Sequence, residues 1–157
     1  MSKVNPIPKG LEGATPYLSC KDAARAIAFY VQAFGAEETM RFADPAGRIG
    51  HAELAIGAAT IMLADEYPDM GFRSPLSLGG SPVTIHLYVP DVDAFVARAV
   101  AAGATVTRPV ADQFYGDRSA QLEDPFGHRW SIATHVEDVS SDELQRRFRA
   151  MTAGGAS

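Results

Sequence analysis

The feature that most constrains the fold of this chain is a helix-bearing unit that occurs twice. Asp22 and Asp91 each follow a strand-like run and are good N-terminal caps for a helix. They lie 69 residues apart, and Gly35 and Gly103, which are suited to ending those helices, lie 68 residues apart. The copies share little identity, but their common order of elements predicts one supersecondary unit present in two versions.

Three strand-like runs follow each helix, and a similar turn joins two of the runs in each copy. The turns are Asp44-Pro45-Ala46-Gly47 and Asp124-Pro125-Phe126-Gly127, in which proline fixes φ and glycine takes the left-handed conformation. Each copy is therefore predicted to be a βαβββ module, the first over residues 12–66 and the second over residues 83–136. The predicted fold class is α+β.

Residues 67–82 and 140–151 complete the single predicted domain. The first stretch is rich in Gly, Pro and Ser and is predicted to be a linker between the modules, with a lid as the alternative. The second begins with Ser140-Ser141-Asp142-Glu143, which forms a capping box, and is predicted to be a C-terminal helix.

Alternation within the strands predicts two faces of different character. One face is aliphatic and is expected to pack beneath the helices. The other mixes polar and aromatic side chains, so it either meets water or lines a ligand cavity. Because Tyr, Met and His are unusual on a purely solvated face, the cavity is favoured. The residues on this mixed face are Tyr17, His51, Glu53, Met62, Thr84, His86, Tyr88, Gln121 and Ser131, with Thr15 at the start of the first strand.

The composition argues against several classes of partner. The formal net charge is −5, which disfavours nucleic acid because nothing here neutralises a run of phosphates. No apolar run approaches the ~20 residues needed to span a bilayer, so no membrane partner is expected. The single cysteine, Cys20, rules out an intrachain disulfide framework and suits a reducing compartment, and a cytoplasmic protein is expected.

Several motifs resemble those of the vicinal oxygen chelate superfamily, which contains glyoxalase I, bleomycin-resistance proteins and extradiol dioxygenases. The resemblance rests on the paired βαβββ modules, the Phe29-Tyr30 pair in the first helix and the Asp124-Pro125-x-Gly127 turn. Four segments are similar to the PhnB-like branch of that group, namely His51–Leu54, Met62–Glu66, Tyr115–Arg118 and Asp124–Ser140. The resemblance implies a curved, largely antiparallel cup of eight strands with the helices on its outer face.

The resemblance also implies where a metal would bind. Catalytic members hold a divalent metal with four ligands, typically His, Gln or Glu, from the first and last strands of each module. The matching positions here are Thr15, Met62, Thr84 and Ser131. Hydroxyl and thioether groups are poor ligands for first-row metals, so no metal is expected at these positions and no cofactor is predicted. A displaced divalent-metal site formed by His51, Glu53 and His86 stays open as an alternative.

The segment Tyr115–Arg118 is expected near the mouth of the cup. Asp117 and Arg118 could pair locally and rigidify the turn. Alternatively, the Arg118 guanidinium recognises an anionic ligand, since its fork suits a carboxylate or phosphate, and Tyr115 supplies an aromatic wall.

The leading hypothesis is a small-molecule binding protein of the bleomycin-resistance type that lacks the usual family metal. One alternative is a metal-dependent isomerase, lyase or dioxygenase that uses the displaced ligands, and another is a metal-free acid–base enzyme with Glu53 or His86 as the base. Whether the chain is an enzyme is left open. A homodimer is expected. The predicted ligand contacts are Thr15, Tyr17, His51, Glu53, Met62, Thr84, His86, Tyr115, Arg118 and Ser131.

Overall fold

The computed structural model describes residues 4–154. The first module contains β1 (Tyr17–Cys20), α1 (Ala23–Phe34), β2 (Glu37–Ala43), β3 (Ile49–Ile56) and β4 (Ala59–Asp65). A 3-10 turn (Pro68–Met70) and a short helix α2 (Pro75–Leu78) follow. Then come β5 (Thr84–Tyr88), α3 (Val92–Ala101), β6 (Thr105–Asp112), β7 (Asp117–Glu123), β8 (Arg129–His135) and α4 (Ser141–Ala153). The predicted α+β fold class, with two βαβββ modules and a C-terminal helix, is confirmed.

Each module forms a four-stranded sheet, and the two sheets have the same topology. The strand order is β1-β4-β3-β2 in the first and β5-β8-β7-β6 in the second. In both sheets the first strand pairs in parallel with the last, and the other neighbours pair antiparallel. The repeated topology is the structural counterpart of the repeated sequence unit.

The chain divides into two compact units. The first extends to Pro82 and also includes Pro125–His128, and the second contains Val83–Asp124 and the chain from Arg129 onward. The segment predicted to be a linker therefore lies in the first unit, and it contains helical turns that sequence analysis did not predict. Within residues 4–154, no helix combines the length and apolar character needed to cross a membrane.

Helix α1 is fixed at both ends by side-chain and backbone signals. The Asp22 carboxylate accepts a hydrogen bond of 3.2 Å from the first turn, and Gly35 ends the helix in the left-handed conformation at φ 66°. The buried Asp65 carboxylate accepts hydrogen bonds from the backbone nitrogens of Ala23, at 2.9 Å, and Ile49, at 2.7 Å. One side chain at the end of β4 therefore joins the start of α1 to the start of β3.

The turn Pro125–His128 packs within the first unit. The buried Phe126 ring lies edge-to-face against Phe29, with ring centres 6.2 Å apart. The His128 Nε2 atom lies 2.9 Å from the backbone carbonyl oxygen of Ser19 and donates to it. His128 is therefore a packed turn residue.

The second unit is organised around Trp130, which is fully buried. Its indole nitrogen donates to the Asp124 carboxylate at 2.9 Å, so the Asp-Pro turn also satisfies the one polar atom of this side chain. The Thr134 hydroxyl donates to the carbonyl of Val89 at 2.8 Å and accepts from the backbone nitrogen of Val92 at 2.9 Å. These bonds join β8 to the chain that leads into α3.

Arg147 joins helix α4 to the rest of the second unit. The guanidinium donates to the carboxylates of Glu137, at 2.7 Å, and Glu143, at 2.9 Å, and to the carbonyl of Phe114, at 3.0 Å. The Ser140 hydroxyl accepts from the backbone nitrogen of Glu143 at 3.3 Å, as the capping box predicts.

Candidate ligand-binding site

A cavity of about 460 Å³ lies in the first unit. Its size falls within the range of sites that enclose small organic molecules. Aromatic, thioether and small side chains line it, which makes the wall largely apolar. The lining residues are Tyr17, Gly50, Ala64, Tyr67, Met70 and Phe72.

One wall of the cavity comes from the segment that follows β4. Tyr67 and Phe72 form an antiparallel bridge with backbone hydrogen bonds of 2.7 and 3.2 Å, and Gly71 reverses the chain at φ 75°. The Arg48 guanidinium lies 4.2 Å from the centre of the Tyr67 ring and limits the movement of that ring. The segment predicted as a linker or a lid thus supplies Tyr67, Met70 and Phe72 to the wall.

Glu66 holds the remainder of that segment in place. Its carboxylate accepts hydrogen bonds from the backbone nitrogen of Ser74 and the hydroxyl of Ser77, both at 2.9 Å. Hydrogen bonds from these two serines lower the pKa of Glu66 to about 2, so the carboxylate stays ionised at ordinary pH. Helix α2 is therefore fixed directly after the cavity wall.

Another part of the wall depends on a β-bulge at Gly50. The pairing of β3 with β2 passes from His51, opposite Phe42, directly to Ile49 and leaves Gly50 as the extra residue. A Cβ atom at Gly50 would lie 3.8 Å from the Phe42 carbonyl oxygen and 3.9 Å from the Tyr67 hydroxyl oxygen. The missing side chain at this position keeps the space beneath Tyr67 open.

Three predicted site residues form a hydrogen-bonded chain that begins at the cavity. The Tyr17 hydroxyl oxygen lies 2.6 Å from His51 Nδ1, and His51 Nε2 lies 3.1 Å from Glu53 Oε1. The Tyr17 ring also packs edge-to-face on Phe72, with ring centres 5.6 Å apart. Burial raises the pKa of Tyr17, and the nearby Tyr67 and Glu53 raise it further, so the phenol keeps its proton.

The four positions matched to family metal ligands are divided between the two units. Thr15 and Met62 belong to the first unit, and Thr84 and Ser131 belong to the second. Their donor atoms are hydroxyl oxygens and a thioether sulfur, which do not fit a first-row divalent metal.

The displaced ligand set is divided between the two units. His51 and Glu53 are hydrogen-bonded in the first unit. His86 belongs to the second unit, where its Nδ1 atom lies 2.9 Å from the Ser131 hydroxyl and its ring lies edge-to-face on Tyr88, with centres 4.8 Å apart. The described part of the chain, residues 4–154, contains no group of three or more His, Cys, Asp or Glu side chains that could hold a metal.

Arg118 is already engaged by two acidic side chains. Its guanidinium donates to both oxygens of Asp93, at 2.7 and 2.9 Å, and to Asp112 at 3.1 Å. The local pair with Asp117 is not formed, because alternation along β7 places these two side chains on opposite faces. Tyr115 is half exposed. An anionic ligand at Arg118 would have to compete with the Asp93 and Asp112 carboxylates for the guanidinium group.

The buried Asp117 carboxylate instead joins a cluster of polar side chains in the second unit. Its carboxylate accepts from the Tyr88 hydroxyl at 2.6 Å and from His135 Nδ1 at 2.9 Å, and His135 Nε2 donates to Asp138 at 2.8 Å. Burial acts to raise the pKa of Asp117, but the hydrogen bonds from Tyr88 and His135 outweigh it and hold that pKa below its usual range. The bonds to Asp138 and then Asp117 raise the pKa of His135.

We expect His135→Gln to destabilise the protein more at about pH 5 than at about pH 9. Because the folded-state pKa of His135 is raised, its contribution is fully present below the unfolded-state value and is lost as pH rises through the folded-state value. Urea unfolding of both proteins at the two pH values measures this difference. An equal loss of stability at both would show that the charge on His135 contributes nothing.

Sequence reasoning missed most of the cavity wall. It placed Tyr17 on the ligand-facing side but did not select Gly50, Ala64 or the residues from Tyr67 to Phe72. A signal was present in that last segment, because three large apolar side chains stand among turn-forming residues. Their placement depends on the backbone bridge between Tyr67 and Phe72, which no local pattern predicts.

Comparison with known proteins agrees with this architecture. A sequence model described as Glyoxalase/Bleomycin resistance protein/Dioxygenase superfamily matches residues 14–132. The chain is 52% identical over 143 residues to protein Mb0911c of Mycobacterium bovis, covering 89% of this chain and 94% of that protein.

The solved structures that are similar to this one include a plant protein and a bacterial protein. The product of At5g48480 from Arabidopsis thaliana gives a TM-score of 0.64 at 28% identity, covering 77% of this chain and 97% of that chain. TioX from Micromonospora sp. ML1 gives a TM-score of 0.61 at 27% identity, covering 82% of this chain and 100% of that chain. Membership of the PhnB-like branch stays a prediction. The sequence match and the shared fold together show that this chain belongs to the glyoxalase/bleomycin resistance protein/dioxygenase superfamily.

Proposed function

We propose that this protein binds a small, largely apolar organic molecule in the cavity of the first unit, without a metal at the family positions. The observation that carries the proposal is the wall of that cavity. Tyr17, Tyr67 and Phe72 present aromatic surface, while Gly50 and Ala64 leave room between them. An apolar concave wall with few polar groups is typical of sites that bind organic ligands by burial of surface.

The donor chemistry at the family positions supports binding without the usual metal. Thr15, Met62, Thr84 and Ser131 offer no carboxylate or imidazole. The metal-dependent alternative requires His51, Glu53 and His86 to act together, and residues 4–154 contain no such metal-holding group. A binding role of the bleomycin-resistance type therefore fits these residues better than metal-activated isomerase, lyase or dioxygenase chemistry.

We expect Phe72→Ala to weaken binding of the aromatic fluorescent probe 1-anilino-8-naphthalenesulfonate by about tenfold, since an aromatic contact contributes about 1 kcal/mol beyond its buried area. The matched control is Phe148→Ala, which removes an aromatic ring that is 51% exposed on α4. Fluorescence titration of the wild type and both variants measures the effect. Equal affinities for all three would place the probe outside this cavity.

Elemental analysis of the same protein, purified without chelator, tests the second half of the proposal. We expect iron, nickel, zinc and manganese well below one atom per chain. A stoichiometric metal would overturn the metal-free assignment, even if the probe still bound.

We also propose that the protein is a cytoplasmic homodimer, as expected from its sequence. Large apolar side chains on the strands support the dimer, since Phe42 on β2 is 61% exposed and Tyr88 on β5 is 57% exposed. Side chains of this kind are common where a second subunit covers a surface.

A further inference from the structure

The hydrogen-bonded chain at the cavity is connected so that only one of its members reaches the ligand space. Tyr17 lines the cavity, whereas His51 and Glu53 extend the chain away from it. The His51 and Glu53 side chains are 25% and 20% exposed, so both are largely shielded from water. A ligand in the cavity would therefore meet the phenol and not the imidazole or the carboxylate.

The direction of the hydrogen bonds follows from the chemistry of the three groups. A carboxylate can only accept, so His51 Nε2 carries the ring proton and donates it toward Glu53 across 3.1 Å. The Nδ1 atom of the neutral ring then has a free lone pair, and it accepts the proton of the Tyr17 hydroxyl across 2.6 Å. The phenol oxygen keeps its own lone pairs available to the cavity.

We propose that Tyr17, His51 and Glu53 form a proton relay that deprotonates an acidic hydroxyl group of the bound molecule. This proposal rests on the proposed binding function of the same cavity. In the step, the ligand O–H bond breaks and its proton moves to the Tyr17 oxygen. The Tyr17 O–H bond breaks in concert, and that proton moves to His51 Nδ1. The products are a ligand oxyanion, a neutral Tyr17 and an imidazolium that Glu53 stabilises.

The raised pKa of Tyr17 supports this order of events, because a phenol that stays protonated always has a proton to pass on. Tyr17 thus acts as a base only by handing its proton to His51. The step transfers two protons and no electrons, so it needs no oxidant, reductant or metal.

The wall of the cavity defines the class of molecule that would use the relay. Its aromatic rings favour a flat apolar body, and the second phenol at the wall, Tyr67, already donates toward the Ile49 carbonyl at 3.4 Å. An aliphatic alcohol is too weak an acid to transfer a proton to imidazole. The relay therefore fits an acidic phenol or a stabilised enol.

The probe for this proposal is p-nitrophenol, whose neutral and ionised forms absorb at different wavelengths. We expect the probe bound to the full-length wild type to be ionised at a pH where the free probe is mostly neutral. Tyr17→Phe keeps the apolar ring but removes the shared oxygen, and we expect it to lower the ionised fraction of bound probe by about tenfold. Glu53→Gln removes the stabilising charge and should give an intermediate fraction, whereas Glu123→Gln, an exposed carboxylate of β7, should match the wild type.

The outcomes separate failure of the relay from failure of the cavity. Probe that binds to the wild type but stays neutral would overturn the relay and leave the binding function intact. Probe that becomes ionised equally in Tyr17→Phe would also overturn it. Absence of binding, for both this phenol and the naphthalene probe, would overturn the binding function and the relay with it.

A second measurement needs no ligand. Nitrogen-15 spectra of histidine-labelled protein distinguish the two ring tautomers, and we expect His51 to carry its proton on Nε2. Glu53→Gln should shift the signals of His51, while the spectrum of Glu123→Gln should stay unchanged. A His51 ring protonated on Nδ1 alone would reverse the direction of the chain and overturn the relay.

Discussion

Gly50→Leu is expected to lower the affinity for 1-anilino-8-naphthalenesulfonate by roughly 10- to 100-fold, because a leucine side chain would occupy space that the ligand needs. The first added carbon fits, since it would lie 3.8 Å from the nearest neighbouring atom. The remaining carbons would extend beneath Tyr67 into the cavity. The Gly50→Leu substitution should therefore weaken ligand binding without unfolding the protein.

The matched control is Gly13→Leu. Gly13 also lies in the first unit, but a Cβ atom there would meet nothing within 4 Å, so the same apolar side chain is added in open space. Near-ultraviolet circular dichroism checks that both variants keep a packed core, and fluorescence titration compares their affinities. A folded Gly50→Leu protein with wild-type affinity would mean that the ligand does not use this cavity.

Gly116→Ala is expected to destabilise the protein by about 3 kcal/mol or more, the range in which backbone strain and steric overlap act together. Gly116 has a φ of 94°, and a Cβ atom there would overlap the carbonyl oxygen of Glu137. The backbone cannot easily move away, because the Gly116 carbonyl accepts hydrogen bonds from Val136 at 2.9 Å and from Glu137 at 3.0 Å. A backbone movement that relieved the overlap would break these two hydrogen bonds, which join the start of β7 to the chain after β8.

Comparison with Gly47→Ala separates the effect of backbone strain from the effect of steric overlap. Gly47 has a similar φ of 84°, but nothing lies within 4 Å of a Cβ atom there, so only the left-handed conformation contributes. We expect a loss of about 1 kcal/mol for Gly47→Ala, as is typical of that conformation alone. Urea unfolding compares the two variants. Equal losses would contradict the close packing of Gly116 against Glu137.

Local signals in the sequence were sufficient to predict the helices and strands of the two modules and the C-terminal helix. Asp22 and Asp91 cap their helices as expected, with hydrogen bonds of 3.2 and 3.0 Å, and the Asp-Pro-x-Gly turns join the predicted strands. These predictions are confirmed because each feature depends only on residues close together in the sequence. The internal repeat then extends each local prediction to a whole module.

Contacts between distant segments could not be predicted in the same way. Arg118 pairs with Asp93, which lies 25 residues earlier on α3, rather than with its neighbour Asp117. The bridge between Tyr67 and Phe72 turns an apparent linker into a cavity wall. Both depend on how elements pack together, which periodicity does not encode.

The residues of the proton relay could be predicted from the sequence, but their hydrogen bonds could not. Alternation alone placed Tyr17, His51 and Glu53 on one face. Their hydrogen bonds depend on strand order, because β4 lies between β1 and β3. Sequence analysis therefore identified the three residues but not the chain that they form.

Chemical-shift mapping during titration with 1-anilino-8-naphthalenesulfonate tests most directly whether the first unit holds the ligand. We expect saturable shifts of the backbone amides at Gly50, Ala64 and the segment from Tyr67 to Phe72, with amides around Tyr88 and Arg118 unchanged. Shifts that centre on Tyr88 and Arg118 instead, and leave Gly50 and Phe72 unmoved, would contradict the assignment of the binding site to this cavity.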